Sequence, residues 1–470
     1  MKENKSKGNL FYLTSIVLVA ALGGLLFGYD TAVIAGAIGF LKLHFNLTPV
    51  MMGWAASSAL VGCFLGLTFS GPLNDKFGRK TALIVAAALF LISAIGSSIP
   101  HSLTEFVIYR MIGGLGVGIA SMTSPMYIAE ISPKRIRGRM VCLNQLAIVS
   151  GMLIVYFVNY YITGHGEAID LQAGIINDPE KWNVAYGWRW MFGSESLPAV
   201  ALLVLMFFVP KSPRWLAKQN LSDKAFKILA RVDGDDFAKT EMVEIENAIA
   251  EESPSLKQLL KPGMRIALFI GIALAVLQQV VGINVFLYYA PEIFKSVVGT
   301  GTDIAMMQTV VVGGVNLLFT IIAIWSVDKL GRKPLMYIGS AGMGISLIAA
   351  GLAFVFHQTG LFVLICVLGY IASFAMSVGP VVWVILSEIF PTKIRGRAMA
   401  IATFFLWVAN FIVSQTFPMM NENKFLIDKF NHGFPFFIYS VFCVILIFVV
   451  WKFVPETKGK SLEEIERYWK

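Results

Sequence analysis

About twelve apolar runs divide this chain of 470 residues. Each approaches the ~20 residues that a helix needs to cross a bilayer. They lie near 10–40, 50–73, 81–99, 104–130, 140–163, 188–209, 264–294, 303–327, 334–357, 360–387, 398–419 and 433–453. Only 14% of residues are charged against 57% hydrophobic, where a soluble domain carries about a quarter charged. The first run follows Lys2, Lys5 and Lys7, as in a signal peptide. It continues to about Leu41 and contains Asp30, too long for the apolar stretch of a cleaved leader. It reads as a retained first span. The expected fold is all-α and integral to the membrane.

The net charge of +9 does not point to nucleic acid, because the basic residues punctuate the apolar runs instead of gathering on one domain. Lys76, Arg79 and Lys80, then Lys134, Arg135, Arg137 and Arg139, then Lys329, Arg332 and Lys333, then Lys393, Arg395 and Arg397 fill four short loops. The alternating loops hold only Lys42, Lys181, Lys295, Lys424 and Lys429. Positive charge stays in the cytoplasm, so the first set and both termini are expected there. Cys63, Cys142, Cys366 and Cys443 sit in apolar runs without metal-ligand spacing and read as packed free thiols.

The two ends of the chain repeat each other. Asp75–Lys80 reads DKFGRK and Asp328–Lys333 reads DKLGRK. Ala129–Arg139 reads AEISPKRIRGR and Ser387–Arg397 reads SEIFPTKIRGR, while Val209-Pro210 is echoed by Val454-Pro455. Three motifs at nearly one offset imply an N-terminal six-helix half over 1–210 and a C-terminal one over 263–454. A hydrophilic linker of short surface helices is expected over 211–262, with a cytoplasmic tail over 455–470. Asp75, Glu130, Asp328 and Glu388 stand near the basic loops. Orientation does not require these acids, so a charge network that closes the cytoplasmic face is expected. Its members are Arg79, Glu130, Arg137, Arg332, Glu388 and Arg395. Gly78 and Gly331 suit the tight turns.

These motifs, with PKSPRWL at 210–216, QQVVGINVFLYYAPEIF at 278–294 and PETKGKSLEEIE at 455–466, resemble the sugar porter family of the major facilitator superfamily. The resemblance covers essentially the whole chain. RMIGGLGVGIASMTSPMYIAEISP at 110–133 and the tail are most similar to the family's bacterial xylose–proton symporters. The resemblance implies a major facilitator fold of twelve transmembrane helices. It also implies a substrate site between the halves near the midplane, residence in the cell membrane, a monomer, and no cofactor beyond a coupling proton. One element departs: Lys211 stands where the family commonly has an acid.

Asp30 lies inside span one, where an ionised carboxylate costs ~2.5–3.5 kcal/mol by insertion scales. By the resemblance, Arg110 of span four is its partner, and proton symporters carry Asp where facilitators tend to carry Asn. A static ion pair is the plainer alternative. Glu195 of span six fits either this network or the cytoplasmic gate.

A neutral sugar needs amides and hydroxyls for its OH groups and flat apolar faces for its C–H surface. By the resemblance, Gln145, Gln278, Gln279, Asn284 and Trp383 contact it. Phe27, Tyr288 and Trp407 line the pocket, and Asn316 and Gly379 lie at the same depth. Gln279 and Asn284 would point about 140° apart on one ideal helix. A break at Gly282 is therefore expected, and another at Gly379-Pro380. Met152 and Leu406 replace amides of the xylose symporter pattern, so D-xylose leads while another pentose or a hexose stays open. An uncoupled facilitator and a membrane sugar sensor are the alternatives. No metal-spaced His cluster, nucleophile elbow or phosphate loop points to an enzyme, and GGLGVG at 113–118 lies inside an apolar helix with no strand before it.

Overall fold

The computed structural model describes residues 8–175, 180–250, 262–298, 302–358, 360–390 and 394–458. Among these, twelve helical segments are long and apolar enough to cross a membrane. They are Leu10–His44, Pro49–Phe77, Arg79–Ser98, Leu103–Ile131, Lys134–Ala173, Asn183–Phe208, Gly263–Tyr288, Ile304–Val327, Arg332–Val355, Leu361–Ile389, Gly396–Asn421 and Phe434–Phe453, taken below as spans one to twelve. Their outer faces carry exposed apolar side chains such as Phe69, Phe208, Phe269 and Ile345. A chain in water would bury these, and lipid solvates them.

Local chemistry sets the ends. Thr48 and Ser102 accept N–H bonds from Met51 and Glu105 and cap spans two and four. Gly78 and Gly331 adopt φ of 85° and 95° at the turns before spans three and nine, a conformation open to glycine. Span five is longer than its apolar run: the helix continues through the polar residues 164–173 to a left-handed Gly174. Part of the stretch between the fifth and sixth apolar runs is thus helix. Asp170 accepts the Trp182 N–H at 2.8 Å and Asn183 donates to the Thr163 carbonyl at 2.9 Å, so packing against the start of span six holds the extension.

The hydrophilic linker forms helices Pro213–Lys218, Ser222–Asp233 and Asp235–Ala250 around a small core of their own, built on Trp215, Leu229 and Met242. They dock on the N-terminal half through Arg135–Asp233 at 2.9 Å, Arg137–Glu241 at 2.8 Å and Lys134–Glu244. Residues 251–261 and 459–470, and the Arg395 side chain expected at the gate, lie outside what is described.

Spans two and eleven pack along each other, as do spans five and eight. Polar bonds between the halves cluster at the end away from the basic loops. Ser57 donates to Gln415 at 2.9 Å, Gln415 donates to the Val50 carbonyl at 3.0 Å, and Tyr156 donates to the Leu287 carbonyl at 2.8 Å. Lys42 pairs with Glu422 at 2.6 Å. The cavity between spans two, four and eleven, lined by Leu67, Met122 and Phe404, lies toward the basic-loop end.

Candidate functional site

The Asp30 carboxylate and the Arg110 guanidinium meet in the core at 2.6 Å, and Arg110 also donates to the Asp30 carbonyl at 2.8 Å. Both residues are at most 1% exposed. Spans one and four approach this closely because of Gly113, one turn beyond Arg110. A Cβ there would collide with the Ser93 hydroxyl and come within 2.9 Å of the Asp30 carboxylate. Phe192 of span six covers the guanidinium, 5.3 Å away.

Glu195 is fully buried and interacts with both Asp30 and Arg110. This corrects its placement at the cytoplasmic gate: it belongs to the intramembrane ion pair. Neither Glu195 carboxyl oxygen nor Asp30 Oδ2 has a hydrogen-bond donor. One fixed cation thus faces two carboxyl groups. Tyr29, next to Asp30, bonds Ser194, next to Glu195, at 2.8 Å and ties spans one and six together there.

In the C-terminal half the helices break where the residues required it. Span seven stops at Val280, passes a left-handed Gly282 with φ of 95°, and resumes over Ile283–Tyr288. The break turns Gln279 and Asn284 together: Asn284 donates to Gln279 at 2.5 Å and Gln279 donates to Gln278 at 3.2 Å. Span ten ends its first helix at Met376 and resumes at Val378. The break lies N-terminal to Gly379-Pro380 because a proline ring clashes with the carbonyl four residues earlier, here that of Met376. Gln278 reaches across and donates to the Val378 and Gly379 carbonyls at 3.2 and 2.8 Å. Tyr370 of span ten donates back to the Val281 carbonyl in the span-seven break at 2.9 Å.

Trp383 stands one turn beyond Gly379, half-buried. Phe27 and Trp407 meet across the halves with ring centroids 5.6 Å apart, and the buried Trp407 indole N–H has no protein acceptor. Tyr288 is buried at the end of the short span-seven helix, within electrostatic reach of the Asp30–Arg110 pair. It therefore stands between the amides and the acids. Gln145 is half-buried on span five, beside Asn144, whose carbonyl oxygen is taken by Ser124 at 2.8 Å. Asn316 is 7% exposed on span eight. The structure does not join these two to the Gln278–Gln279–Asn284 relay by a hydrogen bond. Leu406 is buried and Met152 half-buried, so the two positions that lost amides now present apolar surface.

Among the described residues, the printed ion pairs of the expected charge network at the basic-loop end lie within each half. Arg79 pairs with Glu130 at 2.8 Å, and Ser212 donates to the same carboxylate. Arg332 pairs with Glu388 at 2.8 Å, and Thr457 donates to it at 2.5 Å. Arg137 turns to Glu241 of the linker. Ser212 and Thr457 were not singled out from sequence, although the offset that aligns Val209-Pro210 with Val454-Pro455 aligns them too. The next difference follows from the same alignment. Glu456 accepts N–H bonds from Arg332 at 3.2 Å and Lys333 at 2.9 Å and so caps span nine. Its counterpart beside span three is Lys211, which lies over the Trp215 ring at 4.5 Å.

Residues 16–469 match the family model described as Sugar (and other) transporter. The chain is 46% identical to the D-xylose-proton symporter of Escherichia coli K12, over 98% of this chain and 96% of that one. It is 45% identical to the arabinose-proton symporter of Bacillus subtilis 168, over 97% and 95%. Among solved structures, the partially occluded inward-open conformation of the xylose transporter XylE from E. coli superposes with a TM-score of 0.83 at 44% identity, covering 96% of this chain and all of that one. With the family model spanning nearly its full length and the fold shared with XylE, the chain belongs to the sugar transporter family and has the major facilitator fold.

Proposed function

We propose that this protein is a proton-coupled monosaccharide symporter of the cell membrane, with D-xylose as its leading substrate, working by alternating access with both termini in the cytoplasm. The observation that carries the reading is the position of Tyr288. On one side it lies within electrostatic reach of the buried Asp30–Arg110 pair, which Glu195 also joins. On the other it closes the segment whose Asn284 and Gln279 form the amide relay. Sugar binding and protonation thus act on one contact between the halves.

In this mechanism Asn284, Gln279, Gln278, Gln145 and the free Trp407 indole N–H take sugar hydroxyls, with Phe27, Trp383 and Tyr288 against the ring and Gly379 and Asn316 at its edge. Asp30 and Glu195 exchange the coupling proton, and Arg110 holds the charge that makes its gain or loss matter. Arg79–Glu130 and Arg332–Glu388 act as cytoplasmic anchors that steady each half while it rocks, with Arg137 joining the linker and Arg395 serving the same face. The end bonded through Ser57–Gln415 and Lys42–Glu422 faces outside and is closed.

A second reading within the class rests on Met152 and Leu406. Two apolar surfaces where the xylose pattern has amides favour a sugar with less hydroxyl density to satisfy at those points, and a relative at 45% identity is named for arabinose. Competition settles the substrate. Proteoliposomes taking up labelled D-xylose are challenged with unlabelled D-xylose, L-arabinose, D-glucose and D-galactose. Strongest competition by D-xylose supports the leading reading, and stronger competition by another sugar replaces it.

A further inference from the structure

Gln278 occupies an unusual position for a sugar ligand. It is 2% exposed, and in this structure its amide is fully engaged. Nε2 donates to the Val378 and Gly379 carbonyls just past the span-ten break, and Oε1 accepts from Gln279. An amide nitrogen has two hydrogens to give, and both are used. The opposite bond complements it. In the span-seven break the Val281 carbonyl lies outside both flanking helices, and Tyr370, before the span-ten break, supplies its donor. Each helix therefore holds the other at its weak point. A buried carbonyl or amide stripped of its partner is costly, so neither break shifts alone without exposing a polar group of the other.

We propose that Gln278 and Tyr370 are positioning residues that make the two breaks one switch, and that sugar works this switch by competing for the Gln278 amide. With Asn284 bonded to Gln279 and Gln279 to Gln278, the Gln278 N–H groups hold the first turn after the span-ten break. Sugar hydroxyls that engage the relay at Asn284 and Gln279 pull Gln278 toward the cavity and release Val378 and Gly379. The segment that carries Trp383, and beyond it Glu388 of the cytoplasmic cluster, is then free to move. The proposal rests on the sugar-transport reading. It adds a way for occupancy to reach the gate through the span-seven amides, beside any direct contact of the sugar with span ten.

The test is hydrogen–deuterium exchange on the full chain in nanodiscs, with D-xylose as the probe and its binding measured separately by tryptophan fluorescence. In the wild type, saturating D-xylose is expected to speed exchange over 374–383 by about fivefold, the loss of one ordinary hydrogen bond's net worth. Gln278→Met is expected to show that faster exchange already without sugar, with no further rise on adding it. Tyr370→Phe removes a hydroxyl away from the sugar-facing amides. It is expected to leave xylose affinity within about twofold, since it loses no ligand contact, while loosening 278–285. It also keeps the test alive if Gln278→Met does not fold. Sugar that binds the wild type yet leaves 374–383 unchanged overturns the proposal. So does a Tyr370→Phe variant whose two break segments exchange like the wild type. A wild type that binds no D-xylose, L-arabinose or D-glucose overturns the transport reading, and this proposal with it.

Discussion

The two halves carry the same cluster at the basic-loop end but different interiors. At the basic-loop end, Arg79–Glu130–Ser212 and Arg332–Glu388–Thr457 repeat each other residue for residue. At mid-membrane, the N-terminal half holds one cation and two carboxyl groups among close-packed helices. The C-terminal half holds neutral amides between broken ones. The repeated part is what both halves need in order to stay rigid and oriented. The unrepeated part differs in chemistry: buried charge in one half, neutral amides in the other. The two interiors meet where Phe27 of the N-terminal half packs against Trp407 of the C-terminal half.

The comparison is broken most severely by removing Arg110. Arg110→Ala leaves Asp30 and Glu195 buried without their cation, a loss of about 3–5 kcal/mol. Its thermal unfolding in detergent is expected to move far below that of Gln279→Ala, which removes a neutral hydrogen bond worth ~1–3 kcal/mol when its partner is left unsatisfied. Gln279→Ala instead shows its main effect as weaker sugar binding. Equal thermal losses in the two variants would erase the distinction between the interiors.

Next come the repeated clusters. Glu130→Gln and Glu388→Gln each weaken a charge-assisted contact worth about 1.5–3 kcal/mol. The Arg79–Glu130 side chains are 6% and 9% exposed, against 12% and 20% for Arg332–Glu388. The N-terminal variant is therefore expected to lose more, as read by the unfolding midpoint. A reversed order would mean that burial does not set their strength.

Lys211 and Glu456 sharpen the comparison where the repeat fails. An anion favours a helix N-terminus by about 0.3–1 kcal/mol, so Lys211→Glu is expected to raise the unfolding midpoint slightly and Glu456→Lys to lower it. Burial pushes the Glu456 carboxyl up, but N–H bonds from Lys458, Lys333, Arg332 and Thr457 outweigh it and hold the group below its usual range. A depressed carboxylate stabilises fully above its unfolded value, about 4.3, and that stabilisation is lost as pH falls through the folded value. The midpoint difference between wild type and Glu456→Gln is therefore expected at pH 7 and should close in acid below about pH 4. The smallest effect is at the outer end. Lys42–Glu422 is about one-third exposed, and Lys42→Ala should cost only ~0.2–1 kcal/mol, with a corresponding shift toward an outward-facing state in labelling of a cysteine placed at the outer mouth.

Much of this was legible in the residues. Hydropathy placed the spans to within a few residues, because ~20 apolar residues in a row have few other fates. The break at Gly282 followed from asking how Gln279 and Asn284 could face one cavity. Polar stretches at the ends were harder to read. Residues 164–173 are helical because Asp170 and Asn183 find partners across the loop, which local sequence does not announce. Glu195 sits in FGSESLP with nothing nearby to say whether it faces the core pair or the gate; only the packing of span six on spans one and three decides. Of the acids beside the basic loops, Glu130 and Glu388 pair with Arg79 and Arg332, and those partners depend on which loop each helix end meets. Gln278 was expected only as a sugar ligand, and its bonds to Val378 and Gly379 arise from a contact a hundred residues away.

The central claim is that the buried acids couple a proton to sugar movement. Its most direct measurement is uptake of labelled D-xylose into proteoliposomes, with and without an inward proton gradient, for the wild type and Asp30→Asn. The account expects the gradient to drive accumulation above equilibrium in the wild type, and expects Asp30→Asn to lose that accumulation while retaining sugar exchange. Downhill flux that ignores the gradient in the wild type, or full accumulation by Asp30→Asn, would contradict it.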